Sequence, residues 1–149
     1  MYVYLVAGTT ESYDVSAYSY MVGNLHVQTN RHVGWTVVEA YLYGFLDLNN
    51  YVIKNRIIPT AISFDVCTPS GQIKKIVDTP WLETLQANSW VDPDGPLFYK
   101  PLLQELYFHR IYFKERGIQW SCLTELNESE FRSFTKCKDV LQSLLRSSG

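Results

Sequence analysis

The strongest constraint in this chain is a change of period. Up to Pro80 apolar side chains tend to alternate with polar ones, whereas beyond Pro96 they recur at spacings of three, four and seven. Alternation places successive side chains on opposite faces of a strand, and the longer spacing gathers them on one stripe of a helix. Strands first and helices later predict an α+β fold: a mostly antiparallel sheet from the N-terminal half packed against helices mainly from the C-terminal half. A doubly wound parallel sheet is excluded on the same ground, because strand and helix do not alternate along the chain.

Tyr2–Val6 (YVYLV) combines β-branched and aromatic residues and stops at Ala7-Gly8, which predicts a short central strand. Ala17–Val22 and Leu25–Thr29 flank Gly23-Asn24, a pair tolerant of positive φ, and predict a hairpin. Thr36–Leu48 places Val37, Tyr41 and Leu48, with Val38, Leu42 and Phe45, at helical separations, although Gly44 within it costs about 1 kcal/mol against Ala. Alternation returns in Ile57–Thr68, and Pro69-Ser70-Gly71 predicts a turn from which Ile73–Val77 runs back as a second hairpin arm. Asp78-Thr79-Pro80 starts a short helix through Leu85 that stops by Ser89, and the prolines and glycine of Trp90–Pro96 make a loop.

Leu97–Arg116 predicts an amphipathic helix with Leu102, Leu103, Leu106 and Phe113 on one face, ended by Gly117. Ile118–Cys122 predicts one more strand. Asn127 and Glu130 form the N-x-x-E start of a last helix reaching Arg146, with Phe131, Phe134, Cys137, Leu141 and Leu144 or Leu145 as its buried face. Residues 1–149 read as a single globular domain, since neither a repeat nor a linker divides them.

Cys67, Cys122 and Cys137 form an odd set without CxxC spacing, which predicts free thiols and a reducing, cytoplasmic setting. Met1–Gly8 lacks the basic residues and length of a signal peptide, and no stretch approaches the roughly 18 apolar residues of a membrane span, so a soluble chain without a membrane partner is expected. Thirteen Lys and Arg against fifteen Asp and Glu leave a net charge of -2, too little to draw the whole chain onto phosphate. With no Lys or Arg before Arg31, extended nucleic acid is disfavoured as a partner.

Catalytic spacing is sparse. No G-x-G-x-x-G, P-loop or G-x-S-x-G run occurs. His26 and His32 flank the end of the first hairpin and are the pair that a small enzyme would use. His109 follows Glu105 by four residues, yet lies between Leu106 and Phe113 and reads as a partly buried, hydrogen-bonded side chain. Asp92 and Asp94 are followed by Pro96, Leu97 and Phe98 rather than further acids, so they read as a solvated turn. No catalytic residue, metal site or cofactor is assigned.

The aromatic content points to binding. Among eleven Tyr, four Trp and seven Phe, Tyr13, Tyr18, Tyr20, Trp35, Tyr41 and Tyr43 crowd into the first third, more rings than alternating faces can all bury. Tyr13, Tyr18, Tyr20, Arg31 and Trp35 are the expected contact residues, forming a protein–protein interface in a non-catalytic binding protein, with a homodimer as one outcome. Short aromatic-rich chains without catalytic motifs resemble, in type only, phage or viral accessory proteins that inhibit or occlude a host protein. The alternative is a small-nucleotide or signalling-molecule binder, with rings around a base and Arg31, Lys54 or Arg56 on its phosphate.

Overall fold

The first strand, β1 (Tyr2–Thr9), is apolar on both faces: Val3 and Leu5 point to one side, Tyr4 and Val6 to the other, and all four are buried. A strand of this kind requires cover on both sides. The computed structural model, which describes residues 1–56, 63–123 and 125–148, supplies that cover with helices on each face of the sheet. Strand β2 (Val15–Val22) runs antiparallel to β1, and β3 (Leu25–Val33) runs antiparallel to β2 across the Gly23-Asn24 turn. On the other side of β1 lies β4 (Ser63–Cys67), parallel to it, and then β5 (Gln119–Cys122), parallel to β4. The order is β3-β2-β1-β4-β5.

The fold is therefore α+β, as the change of period implies, but the sheet is mixed and not mostly antiparallel. Ile73–Val77 accounts for the difference. Instead of returning as a hairpin arm it lies in helix α2 (Gly71–Asp78), because Ile73, Ile76 and Val77 also satisfy the i, i+3, i+4 pattern and bury together. The Ser70 hydroxyl accepts from the Ile73 amide at 3.2 Å, so the turn residues of Pro69-Ser70-Gly71 cap a helix. Residues 57–62 of the expected strand Ile57–Thr68 lie outside the described residues.

Helix α1 (Val37–Lys54) starts in a capping box between Thr36 and Glu39 and packs on β1 and β2. Helices α3 (Trp81–Ala87) and α4 (Lys100–Glu115) extend that layer, and its core includes Leu5, Tyr18, Leu42, Phe45, Phe64, Leu106 and Phe113. Helix α5 (Glu128–Ser148) covers the opposite face, where Tyr4, Val6, Ala17, Met21, Cys67, Cys137 and Leu141 meet. Asn127 and Glu130 exchange the expected capping hydrogen bonds at its start. Its buried stripe is the expected one from Phe134 through Cys137 and Leu141 to Leu144 and Leu145, but Phe131 is 59% exposed, and Glu130 and Ser133 are buried in the first turns instead. Ser133 donates to Asn24 at 3.1 Å and Glu130 accepts from the Asn127 amide at 2.9 Å, so polar contacts hold the first turns.

Candidate functional site

In an open sheet, ligands favour the crevice outside the carboxyl ends of the strands, where the strand order reverses. Here the chain passes from β1 to β2 and β3 on one side and later to β4 and β5 on the other, so the reversal falls between β1 and β4. The rim at the carboxyl end of β1 is defined by one rung, Thr9, Ser16 and His32, paired across three strands. The Ser16 hydroxyl donates to the Trp35 carbonyl at 2.7 Å and fixes the connection from β3 to α1. Held there, the Trp35 indole lies between two rings. Its centroid is 4.3 Å from that of His32 and 4.4 Å from that of Tyr43, with interplanar angles of 11° and 7°. His32 is exposed and Trp35 and Tyr43 are half-buried, so the stack is reachable from solvent.

Further groups complete this rim. Tyr13, in the connection from β1 to β2, is 78% exposed. Arg31 neighbours His32 on the edge strand and is exposed. Tyr41 enters from the first turns of α1; burial pushes its phenol up, and a hydrogen bond with the Ala7 backbone pulls it partly back.

Of the five expected contact residues, Tyr13, Arg31 and Trp35 lie at this end of the sheet, Arg31 on the face opposite His32 because successive strand residues alternate. Tyr18 and Tyr20 do not belong to a contact surface, since each is 2% exposed. The Tyr18 hydroxyl donates to Asp47 and accepts from Asn30 at 2.8 Å, and the Tyr20 hydroxyl donates to Gln28 at 3.2 Å. Alternation along β2 turns both onto the face that α1 covers. Tyr43, which spacing marks only as one more helical aromatic, joins the contact residues named from sequence; it follows Trp35, in the connection before α1, by eight residues.

His26 and His32 are not brought together. They are six residues apart on one strand, about 20 Å at the usual rise. A bulge also separates their faces: Tyr20 pairs with Gln28 but Met21 pairs with His26, leaving Val27 extra. His26 thus faces α5, with its Nε2 2.7 Å from Thr29 Oγ1 and 3.2 Å from Ser19 Oγ, while His32 stacks on Trp35. Burial and the charge of Lys136 both hold His26 below its usual range. Arg31 is likewise remote from Lys54 and Arg56, which lie at the far end of α1, about 27 Å of helix from its start. Of the three alternative phosphate partners, Arg31 alone therefore stands at this end of the sheet. His109 is buried, as expected, with Nε2 3.0 Å from Asn50 Oδ1. Asp92 accepts from the Asp94 amide at 3.0 Å, as a turn requires.

The carboxylates are dispersed among structural partners. Asp47 meets Tyr18; Asp65 accepts from Ser63 at 3.0 Å and Ser121 at 2.5 Å; Asp78 accepts from the Cys122 amide at 2.9 Å; Glu83 pairs with Arg110; Glu39 and Glu130 cap helices. Among the described residues no group of three His, Cys, Asp or Glu could hold a metal ion.

A five-stranded mixed sheet in this order, with a long helix on each face, is similar to the fold of solved RNase H domains. The fold resembles the foamy viral protease-reverse transcriptase in complex with RNA/DNA hybrid, at a TM-score of 0.70 and 13% identity, over 95% of this chain and 19% of that one. It resembles the same viral enzyme in complex with dsDNA at a TM-score of 0.63 and 12% identity, over 95% of this chain and 94% of the other. The PFV RNase H domain in solution matches at a TM-score of 0.62 and 12% identity, over 96% and 90%. No protein-family model matches the sequence, and no curated protein does.

These likenesses overturn the expectation of an accessory protein acting through a protein partner, and the expectation that extended nucleic acid is disfavoured: the fold is shared with an RNase H domain and with a viral enzyme in complex with nucleic acid. Residues 1–30 carry no Lys or Arg, but they do not form one surface. The rim is assembled from separate segments, and the exposed cation Arg31 stands just past that boundary. Nucleases commonly use two divalent ions about 3.5–4 Å apart, held by converging ligands. The donor set of this chain does not fit such a pair, and residues 57–62, Thr124 and Gly149 carry no His, Cys, Asp or Glu to complete one. Among the described residues no helix is long and apolar enough to cross a membrane.

Proposed function

We propose that this chain, taken as one domain, binds a nucleic-acid duplex across the carboxyl-end rim of its sheet. The observation that carries the reading is the RNase H-like fold, matched over nearly the whole chain by structures that hold dsDNA or RNA/DNA hybrid. The rim supplies suitable chemistry. The His32, Trp35 and Tyr43 stack offers an apolar ring surface to sugars and bases, Tyr13 extends it, and Arg31 offers a guanidinium to the phosphate backbone. We propose a cytoplasmic setting, in which the three free thiols would stay reduced.

Fluorescence anisotropy with a labelled RNA/DNA hybrid tests this directly. Binding should weaken as salt rises, and Arg31→Gln should lower the slope of log affinity against log salt by about 1. His32→Ala should weaken binding by about fivefold or more, the lower end of the 1–3 kcal/mol for a lost stacking contact. No binding to hybrid or to dsDNA at low salt would reject the reading.

A further inference from the structure

The fold and the donor set disagree. An RNase H-like sheet brings to mind metal-assisted cleavage of a phosphodiester, which demands acidic side chains converging on one point. This chain has fifteen Asp and Glu, so it does not lack carboxylates; among the described residues they do not converge with other donors into a group that could hold a metal ion. At the order reversal β1 contributes Ala7 and Thr9, α1 contributes Ala40 and Tyr41, and β4 ends in Cys67 followed by Thr68. Tyr41 and Cys67 are buried on opposite faces of the sheet, Cys67 level with Tyr4 of β1, and burial pushes the Cys67 thiol up to about 12, so neither offers an ionised ligand near neutral pH. The nearest carboxylates in sequence are Asp65, held by Ser63 and Ser121, and Glu11, Asp14 and Glu39. The last accepts from the Thr36 amide at 3.1 Å, and Glu11 and Asp14 are exposed in the β1–β2 connection.

We infer that this chain holds its nucleic acid without a divalent ion and leaves the phosphodiester intact, its rim rings, the exposed Tyr13 hydroxyl and Arg31 making the contacts directly. The inference rests on the duplex-binding reading above and concerns how that rim works. A phosphate met by a guanidinium and hydroxyl donors needs no bridging cation, whereas attack on its phosphorus by water at neutral pH would need an activator that these residues do not assemble.

Two measurements separate the inference from the reading on which it rests. The first compares hybrid affinity in EDTA, in Mg2+ and in Mn2+ at matched ionic strength, and follows strand integrity on a denaturing gel. Equal affinity and intact strands are expected. Binding about tenfold tighter with either ion, or cleavage that survives a second purification, would overturn the inference while the duplex-binding reading stood. The second titrates the protein with Mn2+ alone by calorimetry, where no stoichiometric site of micromolar affinity is expected. Such a site would overturn the inference even if the hybrid did not bind. Absence of hybrid binding under every condition would instead overturn the duplex-binding reading, and with it the holding role.

Discussion

Gly44 of α1 lies directly against Tyr18 of β2: a Cβ built on the glycine would stand 2.9 Å from Tyr18 Cγ, 3.0 Å from its Cβ and 2.8 Å from Leu5 Cδ1. The glycine that weakens the helix pattern is what lets the helix reach the sheet. Gly44→Ala should therefore destabilise the protein even though Ala gains about 1 kcal/mol of helix propensity, because overpacking costs about 1–3 kcal/mol and Tyr18 Cβ is tied to the strand backbone. The check is the urea midpoint. A rise with unchanged slope would show that the helix does not approach so closely.

Tyr18 is expected to act in stability alone. Burial, with Asp47 as hydrogen-bond partner, holds its phenol well above the usual range, so it remains protonated throughout neutral pH. Tyr18→Phe leaves Asp47 and Asn30 without their shared partner, a loss of about 1–3 kcal/mol. Chemical denaturation should register it, while hybrid affinity of the folded variant should match the parent. A specific loss of affinity would return Tyr18 to the contact surface.

The thiols should be poor nucleophiles in the native state. Burial pushes Cys122 and Cys137 up to about 11, and the Cys137 thiol donates to the Ser19 carbonyl at 3.2 Å. With Cys67 also raised, an aromatic disulfide reagent at mildly alkaline pH should react slowly, first at half-buried Cys122, and should reach all three sites only in denaturant. Rapid labelling of Cys137 would mean that α5 detaches readily from the sheet.

Local signals made much of the fold legible. YVYLV identifies the central strand, Gly23-Asn24 the hairpin, and Asn127 with Glu130 the start of α5, because each is decided by chemistry within a few residues. Ile73–Val77 is ambiguous, since five residues satisfy both periods and only the capping by Ser70 decides. The Val27 bulge leaves no clear mark in the sequence, yet it decides which face His26 joins. The rim was half legible. Tyr13, Arg31 and Trp35 can be picked out as aromatic or basic residues in one region, but that β1, the β1–β2 connection, β3 and α1 converge there is a property of topology. The dispersal of the carboxylates is equally invisible in a count of fifteen.

His109 should make stability fall on mild acidification. Packed near Leu106 and Phe113, it has Nε2 on Asn50, and its Nδ1 is buried without a partner. Burial pulls its pKa from 6.5 down to about 4, so between these values the unfolded chain takes up a proton that the native state refuses. Stability therefore rises with pH across that window. The contribution is complete above pH 6.5 and is lost as pH falls towards 4, amounting to roughly 3 kcal/mol if the full difference is realised. His26, also held low by burial, acts in the same direction. Urea midpoints measured at intervals from neutral pH to mildly acid pH should fall progressively. In His109→Leu, which keeps an apolar side chain between its neighbours and removes the titrating group, most of that dependence should vanish. An equally steep dependence in this variant would assign the acid sensitivity to His26 or to the carboxylates.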